Sequence, residues 1–142
     1  MTSENREDLV VLLRDVVEEF DCTSGTLHRA EGDELHLVAH EGIPDPVLAR
    51  IETVPVGKGM AGIAADRREP VQVCNLQIDD SGVVESGARE TMMEGAIAAP
   101  IIGPDGAFEG VIGVAKPESY EFTTAEREQL LRAGTRIARR LR

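Results

Sequence analysis

Aromatic side chains are scarce in this chain of 142 residues, which has no tryptophan, one tyrosine and three phenylalanines. An interior without large rings must be filled by aliphatic and small side chains, and a hydrophobic fraction of 42% supplies enough of them. A chain of this length suits one domain, in which about 70% of the unfolded surface becomes buried. We therefore expect a single domain over residues 1–142.

Basic residues are also few: 15 lysines and arginines face 26 acidic residues, which gives a net charge of -11. This balance argues against nucleic-acid partners, which require a basic patch, and against anionic membrane surfaces. No apolar run approaches the ~20 residues of a membrane span, and "MTSENREDLV" is too acidic for a signal peptide. Cys22 and Cys74, the two cysteines, form no disulfide framework or metal-binding spacing. We expect a cytoplasmic protein.

Both ends of the chain have the apolar period of amphipathic helices, which we predict over 1–20 and 122–142. The apolar stripes consist of Leu9, Leu12, Leu13, Val16, Val17 and Phe20 in the first helix, and of Leu130, Leu131, Ile137, Ala138 and Leu141 in the last. Thr123 and Glu126 have capping-box spacing. The first helix is acidic and the last is basic, so they should attract each other. They either cover one face of a sheet or continue into a dimer bundle.

Two β-hairpins are predicted between these helices. "TSGTLHRA" and "ELHLVAHE" flank the turn "EGD", and alternation in the second strand places Leu35, Leu37 and Ala39 on one face. "GAIAAPII" and "GAFEGVIGVA" flank "GPDG", and both are apolar on both faces, which is typical of central strands.

The segment between the hairpins predicts a short helix or turn in "PDPVLARIETV", then a short helix over about 60–67, a short strand in "PVQVCN" and a loop from 76 to 94. The order α-β-β-α-α-β-loop-β-β-α indicates an α+β fold, an antiparallel sheet with helices on both faces.

The second short helix is preceded by closely spaced glycines in "VPVGKGMAGIAADRREPVQVCN". A Walker phosphate loop needs a hydroxyl after its lysine, but Lys58 is followed by Gly59 and Met60. Gly57, Gly59 and Gly62 have dinucleotide-fingerprint spacing, yet a parallel βαβ context is missing. The glycines more simply provide a tight turn and a close approach of the helix to the sheet. Backbone N–H groups at the start of that helix could still hold an anionic group of a ligand.

The sequence resembles the GAF domain family from about Leu9 to Leu141. The resemblance is carried by "VAHEGIP", the glycine segment quoted above, "GAIAAPII", "GVIGVAKP" and "YEFTTAEREQLL". It implies a sheet with the terminal helices on one face and, on the other, a small-molecule pocket roofed by short helices and a loop. GAF domains usually act as regulatory sensors of small molecules.

Specialised members of that family match this chain poorly. Cyclic-nucleotide GAF domains carry an N-K-…-F-…-D-E pattern, and Leu76 stands where the lysine after Asn75 should be. Bilin-binding members need aromatic residues that this chain lacks. Free methionine-(R)-sulfoxide reductase, an enzymatic GAF domain, has a cysteine where this chain has Ala61, and its catalytic cysteine lies in the loop before the fourth strand, where this chain has none. Sulfoxide reduction needs a thiolate and a resolving thiol. This activity is therefore an alternative that we do not favour.

Three candidate features keep two interpretations each. Cys74 is either a small buried hydrophobe or a redox-sensitive thiol in the pocket. If Ala30 pairs with Glu34, His28 lies opposite His36 within reach of a metal, although surface histidines are the simpler explanation.

Arg89 is the third such feature. It forms either a surface ion pair or an inward clamp on the carboxylate or phosphate group of a ligand.

We predict a non-catalytic sensor domain, with no catalytic or metal-binding residues and no assigned cofactor. The candidate pocket residues are Lys58, Met60, Ala64, Cys74, Asn75, Arg89, Thr91 and Met92. An unidentified small molecule would order the loop over 79–94 and shift the terminal helices, through which we expect a homodimer. A separate signalling protein is a further expected partner. The alternatives are the thiol-dependent enzyme and a scaffold that binds no ligand.

Overall fold

A six-stranded antiparallel sheet forms the centre of the computed structural model, which describes residues 3–78 and 91–142. The strands are β1 (Ser24–Glu31), β2 (Glu34–Glu41), β3 (Thr53–Pro55), β4 (Val71–Val73), β5 (Gly95–Ile102) and β6 (Phe108–Lys116). The helices are α1 (Ser3–Glu19), α2 (Asp45–Ile51), α3 (Gly59–Arg67) and α4 (Thr124–Ile137), which continues into a 3₁₀ turn (Ala138–Leu141). The strand order is β3-β2-β1-β6-β5-β4. The α+β prediction is confirmed, with β3 as an added edge strand.

The terminal helices α1 and α4 pack together on one face of the sheet, as predicted. Leu9 and Leu13 of α1 and Leu130 and Ile137 of α4 are almost fully buried in one core with the sheet. Two ion pairs join the helices, from Arg140 to Asp8 at 2.8 Å and from Arg136 to Glu19 at 3.6 Å. The attraction between an acidic and a basic helix is therefore confirmed.

The bounds of the terminal helices differ slightly from the predicted 1–20 and 122–142. The first helix ends at Glu19. The last begins only at Thr124, because Thr123 is its N-cap: its hydroxyl accepts from the Glu126 amide, and the Glu126 carboxylate accepts from the Thr123 amide. The predicted capping box is thus confirmed, and it sets where the helix begins.

The predicted register of the first hairpin was wrong. A two-residue turn brings Glu31 opposite Glu34, so that Arg29, and not His28, is the partner of His36. Such two-residue loops are the commonest hairpin connections, and each residue added to or removed from the loop changes every pair.

A β-bulge further along the same hairpin corrects the predicted faces of β2. Leu27 pairs with Ala39 and His28 pairs with Leu37, which leaves Val38 as the extra residue. The bulge moves Leu35 and Ala39 to opposite faces: Ala39 packs in the core of the terminal helices, and Leu35 packs with α3. His28, the neighbour of Leu27 along β1, lies on the face opposite the terminal helices and is buried there, so the interpretation of this residue as a surface histidine was wrong.

The central position of the second hairpin is confirmed, because β5 and β6 lie between β1 and β4. Ile97 and Ile112 are buried toward the terminal helices, whereas Ala98 and Val111 are buried toward α3. Among the described residues, no helix is long and apolar enough to cross a lipid bilayer.

Candidate functional site: a cavity between the sheet and α2 and α3

Small side chains on one face of the three central strands form the floor of a cavity. The floor residues are Ser24 and Thr26 of β1, Gly113 and Ala115 of β6, and Ala96 and Ala98 of β5, which are paired across the strands. Their neighbours along the strands, such as Leu27, Ile112 and Ile97, point to the opposite face and pack against the terminal helices. Large residues therefore fill one side of the sheet, and small residues leave a cavity of about 440 Å³ on the other.

The walls of this cavity come from the segment between β2 and α3. Val47 and Ile51 of α2, Val54 of β3 and Met60 of α3 contribute apolar surface, and Thr53 adds a hydroxyl. Exposed residues of these elements form the rim, and the floor residues of β1, β5 and β6 are buried or half-buried. The cavity is therefore apolar inside, with polar groups placed at a few positions, which is the usual character of a small-molecule site.

The glycine segment forms the turn into α3 at the rim. Gly57 and Gly59 have φ values of 96° and 67°, which favour glycine. A Cβ at Gly62 would collide with the carbonyl oxygen of Pro55. The close approach allows the Gly57 amide to donate to the Gly62 carbonyl at 2.8 Å, and the Lys58 amide to the Pro55 carbonyl at 3.2 Å. The predicted role of these glycines, a tight turn and a close approach of the helix to the sheet, is confirmed. The strand that α3 approaches is β3.

The first turn of α3 opens toward the cavity. Lys58, Gly59, Met60 and Ala61 all line it, and the N-cap residue Lys58 provides no side-chain hydrogen bond to the helix. The N-terminal N–H groups of a helix carry a partial positive charge, so this end of α3 attracts an anion. The position is consistent with the anion contact predicted from the sequence.

The charge of the cavity is opposite to that of the protein. Arg50 of α2 and Lys58 are both exposed at its rim, and the lining contains no aspartate or glutamate among the described residues. The whole chain has 26 acidic residues and a net charge of -11. Two basic side chains at the rim and no acidic side chain among the described lining residues therefore favour an anion at this cavity.

His28 lies in the wall of the cavity with one nitrogen unpaired. The residue is only 2% exposed, and its Nε2 donates to the carbonyl oxygen of Ile51 at the end of α2, at 2.8 Å. Because a carbonyl only accepts, the proton sits on Nε2 and Nδ1 is an acceptor. Nδ1 is buried and has no hydrogen-bond partner among the described residues. Burial lowers the pKa of His28, and the nearby His36 lowers it further, so the ring is neutral at pH 7.

Neither cysteine lines the cavity. Cys74 follows the last residue of β4 and is exposed, so the interpretation of this residue as a small buried hydrophobe was wrong. The strand ends at Val73, so the alternation of buried side chains in β4 does not extend to Cys74. Cys22 is buried behind α1, and that burial raises its pKa to about 12. A thiol with this pKa is not a nucleophile at neutral pH.

The structure brings together some of the candidate pocket residues and separates others. Lys58, Met60 and Thr91 line the cavity. Ala64, on the buried side of α3, packs instead in the core with Leu35. The loop residue Met92 is 75% exposed and does not line it.

Asn75 has a local structural role outside the lining. Its amide nitrogen donates to Glu94 at 3.1 Å and to Ser119 at 2.9 Å, and its side-chain oxygen accepts from the Gln77 amide. Arg89 and residues 79–90 of the loop lie outside the described residues. Whether any of the candidates contacts a ligand stays a prediction.

The described ends of that loop are held together beside the cavity. The Leu76 amide donates to the Glu94 carbonyl at 2.7 Å, and the Gln77 side chain donates to the Met93 carbonyl at 2.8 Å. Leu76 and Thr91 therefore contribute to the lining from both ends of the loop.

Most of the lining was missed from the sequence as pocket candidates, including His28, Arg50 and Thr26. The signal for the floor is present, since small residues alternate with large ones in "GAIAAPII" and "GVIGVA". The signal for His28 is weaker, because alternation in β1 places it on the same face as Ser24 and Thr26 but does not show that α2 covers that face.

Comparisons with known proteins agree on one fold. A model of the GAF domain family matches residues 3–142. Among curated proteins, none matches this sequence. The structure is similar to the GAF domain of a phosphoenolpyruvate-protein phosphotransferase from Coxiella burnetii, with a TM-score of 0.79 and 18% identity over 96% of this chain and 82% of that one.

Two further solved structures represent different functions. A type II free methionine-R-sulfoxide reductase from Thermoplasma acidophilum has a TM-score of 0.78 and 14% identity, and the match covers 96% of this chain and 92% of that one. A domain of a putative two-component sensor histidine kinase protein from Sinorhizobium meliloti has a TM-score of 0.71 and 12% identity, over 96% and 90% of the two chains. At these identities the similarity extends to the fold alone.

Proposed function

The chain belongs to the GAF domain family, and we propose that it is a non-catalytic sensor that binds a small organic anion in the cavity between the sheet and α2 and α3. The observation that carries the proposal is the composition of the lining. It combines an apolar floor with Arg50, Lys58 and the N-terminus of α3 at the rim, and no acidic side chain among the described residues. GAF domains commonly serve as sensor modules, and the similar histidine kinase domain is of the signalling type.

The size of the cavity supports a ligand of metabolite dimensions. Its volume of about 440 Å³ lies within the range of roughly 300–1,000 Å³ typical of small-molecule sites. The apolar floor would bind a hydrocarbon or ring, and the rim would bind a carboxylate or phosphate. Because Arg50 and Lys58 are exposed, each contributes at most about 1 kcal/mol, and the apolar contact supplies most of the affinity.

The positions of the cysteines support a non-catalytic role over sulfoxide reduction. Reduction of a sulfoxide needs a thiolate in contact with the substrate sulfur. The chain has only Cys22 and Cys74; the pKa of Cys22 is raised to about 12, and neither residue lines the cavity. The similarity to the reductase is therefore one of fold, and we do not extend its reaction to this chain.

The sheet offers a route from the cavity to the terminal helices. Ala98 and Gly113 face the cavity, and their neighbours Ile97 and Ile112 pack against α1 and α4. A ligand that binds two arrangements of these strands with different affinity would shift the helices between two positions. The helices are our proposed surface for a homodimer or a separate signalling protein.

Thermal unfolding in the presence of matched compounds tests the proposed function. We expect small carboxylates and phosphates with an apolar group to raise the melting temperature, and their neutral esters or amides to have no effect. At 100 times its dissociation constant, a ligand adds about 2.7 kcal/mol of stability, which corresponds to a shift of several degrees.

A pair of charge variants supplies the control. Lys58→Gln removes a rim charge and should weaken binding of the anions about threefold to fivefold, in line with a contribution of up to ~1 kcal/mol. Arg132→Gln makes the same change of net charge on α4, on the other side of the sheet, and should leave binding unchanged. Equal stabilisation by anions and neutral analogues, or equal weakening in the two variants, would contradict the proposal.

A further inference from the structure

The unpaired nitrogen of His28 indicates what else the ligand carries. A buried acceptor without a hydrogen-bond partner destabilises a protein by about 1–3 kcal/mol, and such groups are rare. His28 is 2% exposed, lines the cavity and has no partner for Nδ1 among the described residues. A ligand that donates a hydrogen bond to Nδ1 would satisfy this group, whereas a purely apolar ligand would leave it unpaired.

The tautomer of His28 defines the chemistry that it selects. Nε2 holds the proton and donates to the Ile51 carbonyl at 2.8 Å, so Nδ1 only accepts. A hydroxyl or N–H group is therefore a suitable partner, and a carbonyl, ether or carboxylate oxygen is not. Burial lowers the pKa of His28, which keeps the ring neutral and preserves this acceptor at physiological pH.

We propose that His28 is a specificity-determining residue that selects anions bearing a hydroxyl or N–H group, by accepting a hydrogen bond at Nδ1. This inference rests on the proposed function and narrows its ligand class from small organic anions to anions with a hydrogen-bond donor. The anionic group lies at the rim near Lys58, and the donor lies deeper, beside β1.

The contact also links the ligand to α2. Nδ1 has almost no surface accessible to water, so a donor reaches it only when the adjoining wall of the cavity moves, while Nε2 keeps its bond to Ile51. The same ring holds Ile51, the last residue of α2, through Nε2. Because α2 forms a wall of the cavity, engagement of His28 changes the position of that wall.

Matched pairs of small anions test the inference by calorimetry. The probes are 3-phenyllactate and 3-phenylpropionate, 4-hydroxyphenylacetate and phenylacetate, and 3-hydroxyoctanoate and octanoate. In the natural protein, we expect the hydroxylated member of at least one pair to bind about 3- to 12-fold more tightly than the other, as a single net hydrogen bond would give. The ratio within a pair is the readout, because general loosening of the cavity weakens both members equally.

Three variants locate the source of the preference. His28→Phe keeps a ring but removes the acceptor, and should bring the ratio close to one. His28→Asn places an amide oxygen near the position of Nδ1 and should restore part of it. His40→Phe makes the same substitution at an exposed histidine of β2 outside the lining and should leave the ratio unchanged.

Nuclear magnetic resonance of isotope-labelled histidine gives a second readout in the natural protein, which needs no variant to fold. The Nδ1 resonance of His28 should move when the preferred hydroxylated probe is added and stay in place with its deoxy partner. A preference that survives in His28→Phe, or an Nδ1 resonance that does not respond, would overturn the inference. Equal binding of all pairs would overturn it and leave the proposed function intact. If no anion bound at all, both would fail.

Discussion

Replacement of Gly62 by alanine should destabilise the protein more than the same replacement at Gly57, although Gly57 has the positive φ. At Gly62, the added Cβ would collide with the Pro55 carbonyl oxygen and come within 3.2 Å of the Gly57 amide nitrogen, both of which are backbone atoms. At Gly57, the added Cβ meets nothing within 4 Å, so the cost is only that of a φ of 96°.

The magnitude follows from the hydrogen bonds that hold the turn. To relieve the collision, α3 must move away from β3, and the bonds from Gly57 to Gly62 and from Lys58 to Pro55 lengthen. Each bond contributes about 1 kcal/mol, so Gly62→Ala should lower the free energy of unfolding by roughly 2–3 kcal/mol. Gly57→Ala should lower it by about 1–2 kcal/mol, the cost of a left-handed conformation for a residue with a Cβ.

Urea denaturation followed by circular dichroism measures both values under the same conditions. Matched m-values for the two variants would show that only the stability has changed. A Gly62→Ala variant that is as stable as the natural protein, or that loses less stability than Gly57→Ala, would refute the explanation of how this turn is built.

Three further predictions concern the floor, the buried histidine and the thiols. Gly113→Val should fill the floor of the cavity and abolish binding of anions that the natural protein binds. An added Cβ comes within 3.2 Å of the Thr26 hydroxyl oxygen, which has to turn aside, so the free energy of unfolding should fall by about 1–3 kcal/mol; loss of fold by circular dichroism would contradict this. Stability should fall as the pH drops below about 6.5, because the unfolded chain then takes up a proton that buried His28 resists, and urea titrations should show a smaller decline in His28→Phe. Cys74 should be alkylated in the folded protein and Cys22 only after unfolding, as mass spectrometry of alkylated protein would show; rapid alkylation of Cys22 in the folded protein would contradict its burial.

The elements of the fold were largely predictable because they depend on local signals. The stripes of the terminal helices, the capping box at Thr123 and the turn in "GPDG" each follow from a few neighbouring residues. The register of the first hairpin was not predictable in the same way. The letters "EGD" are compatible with a loop of two or of three residues, and the two lengths give different pairs. Val38 also forms a bulge that no alternation pattern reveals.

The site was less predictable because it is formed by what side chains leave unfilled. Lys58 and Met60 could be proposed from the glycine segment, which marks where the helix begins. His28 and Arg50 reach the same cavity from β1 and α2, and only the tertiary fold brings these elements together. Cys74 shows the reverse case, since its residue type favours burial and the end of β4 exposes it.

Native mass spectrometry of the protein purified under non-denaturing conditions tests the central claim most directly, with Gly113→Val as the reference. The natural protein should retain a small organic anion of the class described above, one molecule per chain, and the Gly113→Val variant should not. An unmodified mass for the natural protein, or the same adduct on both proteins, would contradict a ligand site on the floor of this sheet.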